Sequence, residues 1–166
     1  MKSNKDRRAA AAAKVGELMT FGVLTCSPHT NAAEAASLML QGDCGMLPVV
    51  ERDKLVAVIT DRDLFIALGT RNLRATEITV GDVAKPQAWT CRPDDWIDSA
   101  LAIMTERRVR RLPVVDDAGR VVGVLSMNDV VLESGTTKAV QIEPVLETLQ
   151  AICGHHQPLT PVHETV

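Results

Sequence analysis

Leu47-Pro48-Val49-Val50 recurs further along the chain as Leu112-Pro113-Val114-Val115, at an offset of 65 residues (112 − 47 = 65). Two other stretches keep this offset: Val15–Leu18 matches Val80–Val83, and Thr25–Pro28 matches Thr90–Pro93. One inserted residue after Val115 then changes the offset to 66, so that Thr60 matches Ser126 and Asp63 matches Asp129. A fixed period held across so many positions indicates an internally duplicated fold.

Each repeat predicts the same order of elements, β-α-β-β-α. A short strand ends near Thr25 or Thr90, and a helix follows the proline turn. Apolar residues at i, i+3, i+4 and i+7 mark this helix. They are Ala32, Ala35, Ala36 and Met39 in the first repeat, and Ile97, Ala100, Leu101 and Met104 in the second. Asn31 with Glu34 is predicted to cap the first of these helices, and Asp95 the second.

Two β-branched runs and a further helix complete each repeat. Short polar turns join the runs, so each pair predicts a hairpin. The runs are Leu47–Val50 with Leu55–Ile59, and Leu112–Val115 with Val121–Leu125. The closing helices are predicted at Asp61–Leu68 and Met127–Leu132, with Gly69 and Gly135 as stop signals.

These elements divide the chain into an N-terminal arm (residues 1–14), a first repeat (15–69), a linker (70–79), a second repeat (80–135) and a C-terminal segment (136–166). A repeat of about 55 residues is marginally stable alone. Each would leave an apolar sheet face uncovered, so we expect the two repeats to pack face to face as one pseudo-two-fold α/β (α+β) unit.

The C-terminal segment predicts an amphipathic helix with an apolar stripe, followed by a flexible tail. The stripe either packs on its own module or contacts a partner. Pro144 lies near the predicted start of the helix and Gly154 follows its end. The stripe consists of Ile142, Val145, Leu146, Leu149 and Ile152.

Composition and charge exclude several classes of protein. The formal net charge is −3 and the pI about 5.8, so no basic surface for nucleic acid is indicated. No apolar run reaches the roughly 20 residues of a membrane helix, and no signal sequence is evident, so we expect a cytoplasmic protein without membrane contact. Cys153, His155 and His156 offer too few ligands for a metal site.

The residues that follow the last strand of each repeat are candidates for ligand binding. They are Thr60-Asp61-Arg62-Asp63 and Ser126-Met127-Asn128-Asp129. A helix N-terminus presents unpaired N–H groups that suit phosphate, and the hydroxyl adds a donor. The aspartate one turn on can accept from ribose hydroxyls. The same pattern is also an N-terminal capping box that needs no ligand, so both interpretations stay open.

A basic cluster precedes the second Leu-Pro-Val-Val strand. Arg107 and Arg108 suit the C-terminal end of a helix, where cations complement the dipole. Arg110 and Arg111 lie against the strand edge and could instead bind phosphate. The first repeat has Gly45 and Met46 at the corresponding positions, which leaves Arg62 as its obvious cation.

Together the Thr-x-x-Pro turn, the Leu-Pro-Val-Val strand and the strand ending in Thr/Ser-x-x-Asp resemble the CBS-domain family. The resemblance covers about two thirds of the chain and implies a tandem pair, or Bateman module, with two clefts for AMP, ADP or ATP, or alternatively S-adenosylmethionine or NAD. It also implies that Asp63 and Asp129 hold riboses and that Thr60 and Ser126 contact phosphates. Further phosphate contacts would come from Arg62, Arg110 and Arg111, and the backbone near Thr25, Cys26, Thr90 and Cys91 would face the adenine.

The resemblance further implies a homodimer. Gly45-Met46 and the neutral Asn128 depart from the pattern, so the two clefts should differ in affinity. The leading hypothesis is a regulatory module that needs no cofactor and whose ligand shifts the placement of the repeats for an unidentified protein partner to detect. A ligand-free dimerisation scaffold is the alternative. An enzyme is not expected, since the barrel of related dehydrogenases needs about 250 residues and no catalytic constellation is evident.

Overall fold

The computed structural model describes residues 13–86, 88–134, 136 and 139–154. Gly135, His155, His156 and the tail lie outside this range, as do residues 1–12 of the arm. The helices are α1 (Val15–Leu18), α2 (Ala32–Gln41), α3 (Asp61–Thr70), α4 (Ile97–Arg107), α5 (Met127–Ser134) and α6 (Ile142–Cys153). The strands are β1 (Thr20–Phe21), β2 (Met46–Glu51), β3 (Lys54–Thr60), β4 (Arg111–Val115) and β5 (Val121–Ser126). Short 3₁₀ turns occupy Ala75–Glu77 and Val80–Asp82.

Helix α2 begins as its capping pattern predicts. Oδ1 of Asn31 accepts from the Glu34 amide at 2.9 Å, and Oε2 of Glu34 accepts from the Asn31 amide at 3.4 Å. The apolar stripe of α2 is narrower than expected, because Ala36 is exposed while Ala32, Ala35 and Met39 are buried.

The predicted cap of α4 is wrong. This helix follows Trp96 and has no side-chain cap. Asp95 instead accepts from the Arg92 amide at 2.7 Å and so stabilises the preceding proline turn. Gly69 does not stop α3 either. That helix continues to Thr70, because exposed helix positions tolerate glycine at a modest cost.

Both predicted hairpins are confirmed, and they match each other closely. Strand β2 pairs antiparallel with β3, and β4 with β5; each shifts register at the same point, Val49/Val50 and Val114/Val115. The first turn uses Arg52 and Asp53 at φ of 50° and 62°, the backbone that a tight two-residue turn between twisted strands requires. The second turn uses Gly119 at φ of 79°.

The strand expected near Thr25 and Thr90 is reduced to single parallel bridges, Cys26 with Val49 and Cys91 with Val114. The first true strand, β1, comes earlier and belongs to the sheet of the other repeat. It pairs with β5 at Thr20 with Val124 and Phe21 with Gly123. Lys85 makes the equivalent bridge to Val58 in the first hairpin.

The two repeats therefore exchange their leading segments, which are residues 15–21 of the first repeat and residues 80–85 of the second. The Gly16 amide donates to the carbonyl of Pro93 at 2.9 Å, and the Gly81 amide donates to that of Pro28 at 2.8 Å. Because each leading segment packs on the proline turn of the opposite repeat, the pair forms one pseudo-two-fold unit, as expected.

The buried apolar residues in the described part of the chain form two clusters. One lies within residues 26–80 and contains Leu47, Ile59 and Leu64. The other combines residues 13–19 with residues 91–145 and contains Leu112, Leu125 and Val130. Each cluster forms because the helices of a repeat cover their own hairpin.

Helix α6 completes the second cluster by packing against α4 and α5. Val145 is buried there, and Oγ1 of Thr105 lies 2.9 Å from Oγ1 of Thr148. The predicted helix is confirmed, and part of its apolar stripe covers its own module, although Ile142 and Leu146 remain exposed. Among the described residues, no helix combines the length and the apolar character needed to cross a membrane.

Candidate functional site

A cavity of about 300 Å³ opens between the two repeats at the end of the second hairpin. One wall is β1 with the residues that follow it, a second is the turn after α2, and the third is the β5–α5 corner. The lining residues are Thr20, Phe21, Gly22, Val23, Leu24, Gly42, Asp43, Cys44, Met46, Arg111, Val124, Ser126, Asn128 and Asp129. The exchange of leading segments creates this cavity, because it brings β1 of the first repeat to the hairpin of the second.

Two glycines allow the walls to come close. A Cβ on Gly123 would lie 2.7 Å from the carbonyl oxygen of Thr20 and 2.9 Å from Sδ of Met19. With any larger residue at this position, β1 would have to move away from β5. A Cβ on Gly42 would lie 3.2 Å from Cδ1 of Leu24. The backbone at these two positions therefore shapes the cavity.

Asp129 both caps α5 and faces the cavity. Its Oδ2 accepts from the Ser126 amide at 2.9 Å, while Oδ1 makes no hydrogen bond within the described part of the chain. Oγ of Ser126 accepts from the Asn128 amide at 3.2 Å, which leaves its hydroxyl proton available to donate. Capping and ligand binding are thus compatible at this corner, since each interpretation uses a different atom.

Arg111 is the one cation among the residues that line the cavity. Its place is fixed by β4, where it pairs with Ser126, and its side chain is half-buried. No ion pair engages its guanidinium within the described residues. A half-buried arginine without a carboxylate partner is suited to bind an anion such as phosphate.

Arg110 is not part of this cavity. Its side chain is exposed, and its carbonyl accepts from the Met127 amide at 2.8 Å. The sequence offered both Arg110 and Arg111 as phosphate ligands, and the structure brings only Arg111 to the cavity with Ser126 and Asp129.

The corresponding corner of the first repeat is arranged differently. Oδ2 of Asp63 accepts from the hydroxyl of Thr60 at 2.6 Å and from its amide at 3.1 Å. Oδ1 of Asp63 forms an ion pair with Nζ of Lys85 at 3.2 Å. Thr60, Arg62 and Asp63 do not line the described cavity, and Arg62 is exposed.

The residues expected to face adenine also lie outside the described cavity lining. The amide and carbonyl of Cys26 bond to Pro48 and Val50, and those of Cys91 bond to Pro113 and Val115. Burial raises the pKa of the Cys26 thiol to about 11. Burial, with a smaller effect from Asp95, raises the pKa of Cys91 to about 12. Thr25 and Thr90, which precede these cysteines, are likewise not among the lining residues.

Sequence reasoning missed two walls of the cavity, residues 20–24 and 42–44. No local pattern marks them, because their position depends on β1 pairing with a strand about a hundred residues away.

No group of three or more His, Cys, Asp or Glu side chains in the described part of the chain could hold a metal ion. Cys153 is exposed there, while His155 and His156 lie beyond it.

Comparison with known proteins gives the same fold and the same repeat. The CBS domain pair of protein MJ0100, in complex with 5′-methylthioadenosine and S-adenosyl-L-methionine, is 26% identical with a TM-score of 0.69, over 76% of this chain and 99% of that chain. CBSX2 of Arabidopsis thaliana, in complex with AMP, is 29% identical with a TM-score of 0.64, over 80% and 99% of the two chains.

Two relatives are longer than this chain. An uncharacterized protein of Methanopyrus kandleri is 32% identical over 133 residues, 80% of this chain and 63% of that protein. The inosine-5′-monophosphate dehydrogenase of Methanocaldococcus jannaschii is 31% identical over 147 residues, 88% of this chain but only 28% of the enzyme.

The sequence model of the CBS domain matches residues 15–70 and 80–135, which together form the two repeats. The chain therefore belongs to the CBS-domain family, as a tandem pair.

Proposed function

We propose that this chain is a regulatory module that binds an adenine nucleotide (AMP, ADP or ATP) in the cavity between its repeats. One observation carries the proposal: Asp129 and Arg111 line the same cavity, so a carboxylate for ribose and a cation for phosphate lie together. The solved relatives in complex with AMP and with S-adenosyl-L-methionine support an adenosine compound as the ligand.

The size of the cavity favours a small member of this class. About 300 Å³ is at the lower end of the range for ligand pockets, roughly 300 to 1,000 Å³. One nucleoside with a short phosphate tail suits this space better than the two nucleosides of NAD. S-adenosylmethionine remains the alternative that a binding experiment must separate from AMP.

Each polar group at the corner has a defined role in the proposal. Oδ1 of Asp129 accepts from the ribose hydroxyls, because Oδ2 is already engaged by the Ser126 amide. The Ser126 hydroxyl and the Arg111 guanidinium donate to the phosphate. Backbone and apolar side chains of residues 20–24 contact the base. The ligand thus bridges both repeats, and its effect on their placement is limited by its different affinity for the two arrangements.

A homodimer is part of the proposal. Phe65 and Ile66 on α3, with exposed fractions of 77% and 47%, match Val131 and Leu132 on α5, with 40% and 73%. A second copy of the chain would cover these equivalent apolar positions. Sedimentation of the protein and of Phe65→Asp tests this. We expect the variant to shift towards monomer, and a monomeric wild type would overturn the dimer.

The module acts in the cytoplasm in this proposal, because its four cysteines are all free, which suits a reducing compartment. An unidentified protein partner detects the bound state, and the module itself catalyses no reaction.

Thermal unfolding tests the ligand. The melting temperature is measured with AMP, ADP, ATP, S-adenosylmethionine and NAD, each in large excess. A ligand at 100 times its dissociation constant adds about 2.7 kcal/mol to the free energy of unfolding. We expect a clear rise for at least one adenine mononucleotide. No rise with any of the five would overturn the sensor and favour a ligand-free scaffold.

A further inference from the structure

The two corners differ at one position that the pseudo-symmetry makes comparable. Thr20 pairs with Val124 beside Asp129, and Lys85 pairs with Val58 beside Asp63. The repeat offset relates these pairs (20 + 65 = 85; 124 − 66 = 58). Lys85 therefore occupies, in the first repeat's corner, the place that Thr20 occupies in the cavity.

Lys85 is held against the acid of its corner. Its amide donates to the carbonyl of Val58 at 3.3 Å, and its Nζ lies 3.2 Å from Oδ1 of Asp63. Thr60 engages Oδ2 of the same carboxylate, so both oxygens of Asp63 have partners. Asp129 keeps one oxygen unengaged within the described chain.

A second difference concerns the wall of the corner. Leu24 and Gly42, which line the cavity, correspond to Trp89 and Arg107 (24 + 65 = 89; 42 + 65 = 107). The guanidinium carbon of Arg107 lies 3.8 Å from the centroid of the Trp89 ring. A stacked pair of large side chains thus stands where the cavity has a leucine beside a glycine.

We infer that the first repeat's corner is self-occupied and that Lys85 is the residue that determines this. Its ammonium takes the place of ligand hydroxyls on Asp63, so the chain binds one nucleotide rather than two. This inference rests on the proposed function, since it concerns the second of two related corners.

Calorimetric titration with AMP tests the inference in the full chain. The titration extends to an AMP concentration of about 100 times the dissociation constant. Over this range, wild type is expected to bind one AMP per chain. Lys85→Thr, which installs the residue found at position 20, is expected to add a second, weaker event. Asp63→Ala in the Lys85→Thr background is expected to remove that second event again.

Thr20→Lys is the reciprocal variant. It places an ammonium beside Asp129, and we expect AMP to bind more weakly by about tenfold or more, because the ammonium would occupy the carboxylate oxygen that the ribose hydroxyls use and a hydrogen bond to a charged group contributes about 1.5–3 kcal/mol. Residues 20 and 85 are both exposed, and the Lys85 side chain is 73% exposed, so neither change disturbs the core.

The outcomes separate the two proposals. Two equal AMP sites in wild type would overturn the inference and leave the proposed function standing. One site in Lys85→Thr, or unchanged affinity in Thr20→Lys, would overturn the role of the lysine. Wild type that binds no AMP, ADP, ATP or S-adenosylmethionine would overturn the proposed function itself.

Discussion

The Gly16 amide lies 2.9 Å from the carbonyl oxygen of Pro93, a hydrogen bond that ties the start of the first repeat to the turn of the second. A Cβ on Gly16 would lie 3.1 Å from the same oxygen, so the contact depends on close backbone approach. This contact directs the chain towards β5, where Thr20 and Phe21 pair and then line the cavity. The cavity between the repeats is thus a consequence of the exchanged leading segments.

Asp129→Asn should weaken AMP binding by about tenfold or more, since a hydrogen bond to a charged group contributes about 1.5–3 kcal/mol. The amide oxygen of asparagine can still accept from Ser126, so the cap of α5 and the fold should be retained. Calorimetry measures the affinity and urea unfolding the stability. Asp95→Asn is the matched control, because Asp95 also accepts from a backbone amide but lies outside the cavity. Equal affinities for the two variants would contradict the role of Asp129.

The repeat, the hairpins and the α2 cap could be predicted because each depends on residues close together in the chain. The exchange of leading segments could not, since Phe21 and Gly123 are distant and neither carries a local signal. The two corners share the hydroxyl-x-x-acid pattern, but that pattern does not show that Lys85 engages Asp63 while Asp129 lines the cavity.

Arg110 and Arg111 show the same limit at one strand end. Successive side chains of an extended chain point to opposite sides. Both arginines could therefore not reach one cavity, but the sequence alone could not decide which of them does so. The register of β4 against β5 makes that choice, because it pairs Arg111 with Ser126.

Arg111→Met should weaken binding of the phosphate without weakening binding of the nucleoside. Methionine is the residue at the matching position of the first repeat, Met46, so the change has a precedent in this chain. We expect the affinity for AMP to fall roughly tenfold or more, while the affinity for adenosine stays within about twofold. Arg110→Met, an exposed neighbour, should leave both affinities unchanged. Equal losses for AMP and adenosine in Arg111→Met would show that Arg111 does not bind the phosphate.

Cys44 provides a chemical probe of the cavity, because it is half-buried and lines the wall. At pH 8 a thiol reagent should modify Cys44 and the exposed Cys153 in the folded protein. Cys26 and Cys91 should react only after unfolding, since both are buried and have a raised pKa. Saturating AMP should slow the Cys44 reaction. Cys153→Ser assigns the two phases, and an AMP effect on Cys153 alone would place the ligand elsewhere.

The two buried thiols also predict how stability depends on pH. Their pKa values in the folded chain, about 11 and about 12, lie above the ordinary value of 9.0. Above pH 9 the unfolded chain therefore loses these protons first, and the free energy of unfolding falls as pH rises towards 11 and 12. The contribution is fully present below pH 9. Urea unfolding between pH 8 and pH 11 should show a smaller fall in Cys91→Ala than in Cys153→Ala, and identical slopes would contradict the assignment.

Gly123→Ala should damage both the fold and the site, because the new Cβ would lie 2.7 Å from the carbonyl oxygen of Thr20. Relieving that contact moves β1 away from β5, and overpacking of this kind costs typically about 1–3 kcal/mol. Gly69→Ala is the control, since Gly69 lies in α3 with no atom within 4 Å of an added Cβ. That change should instead stabilise the chain by about 0.5–1 kcal/mol. Urea unfolding gives both values.

The same pair of variants distinguishes a loss of stability from a loss of the cavity wall. AMP affinity, measured well below the unfolding transition, should fall in Gly123→Ala, because Thr20 and Phe21 no longer hold their places in the lining. In Gly69→Ala it should equal that of wild type. If Gly123→Ala lowers the free energy of unfolding yet binds AMP as wild type does, then β1 supports the fold alone and the ligand does not depend on the exchanged segment.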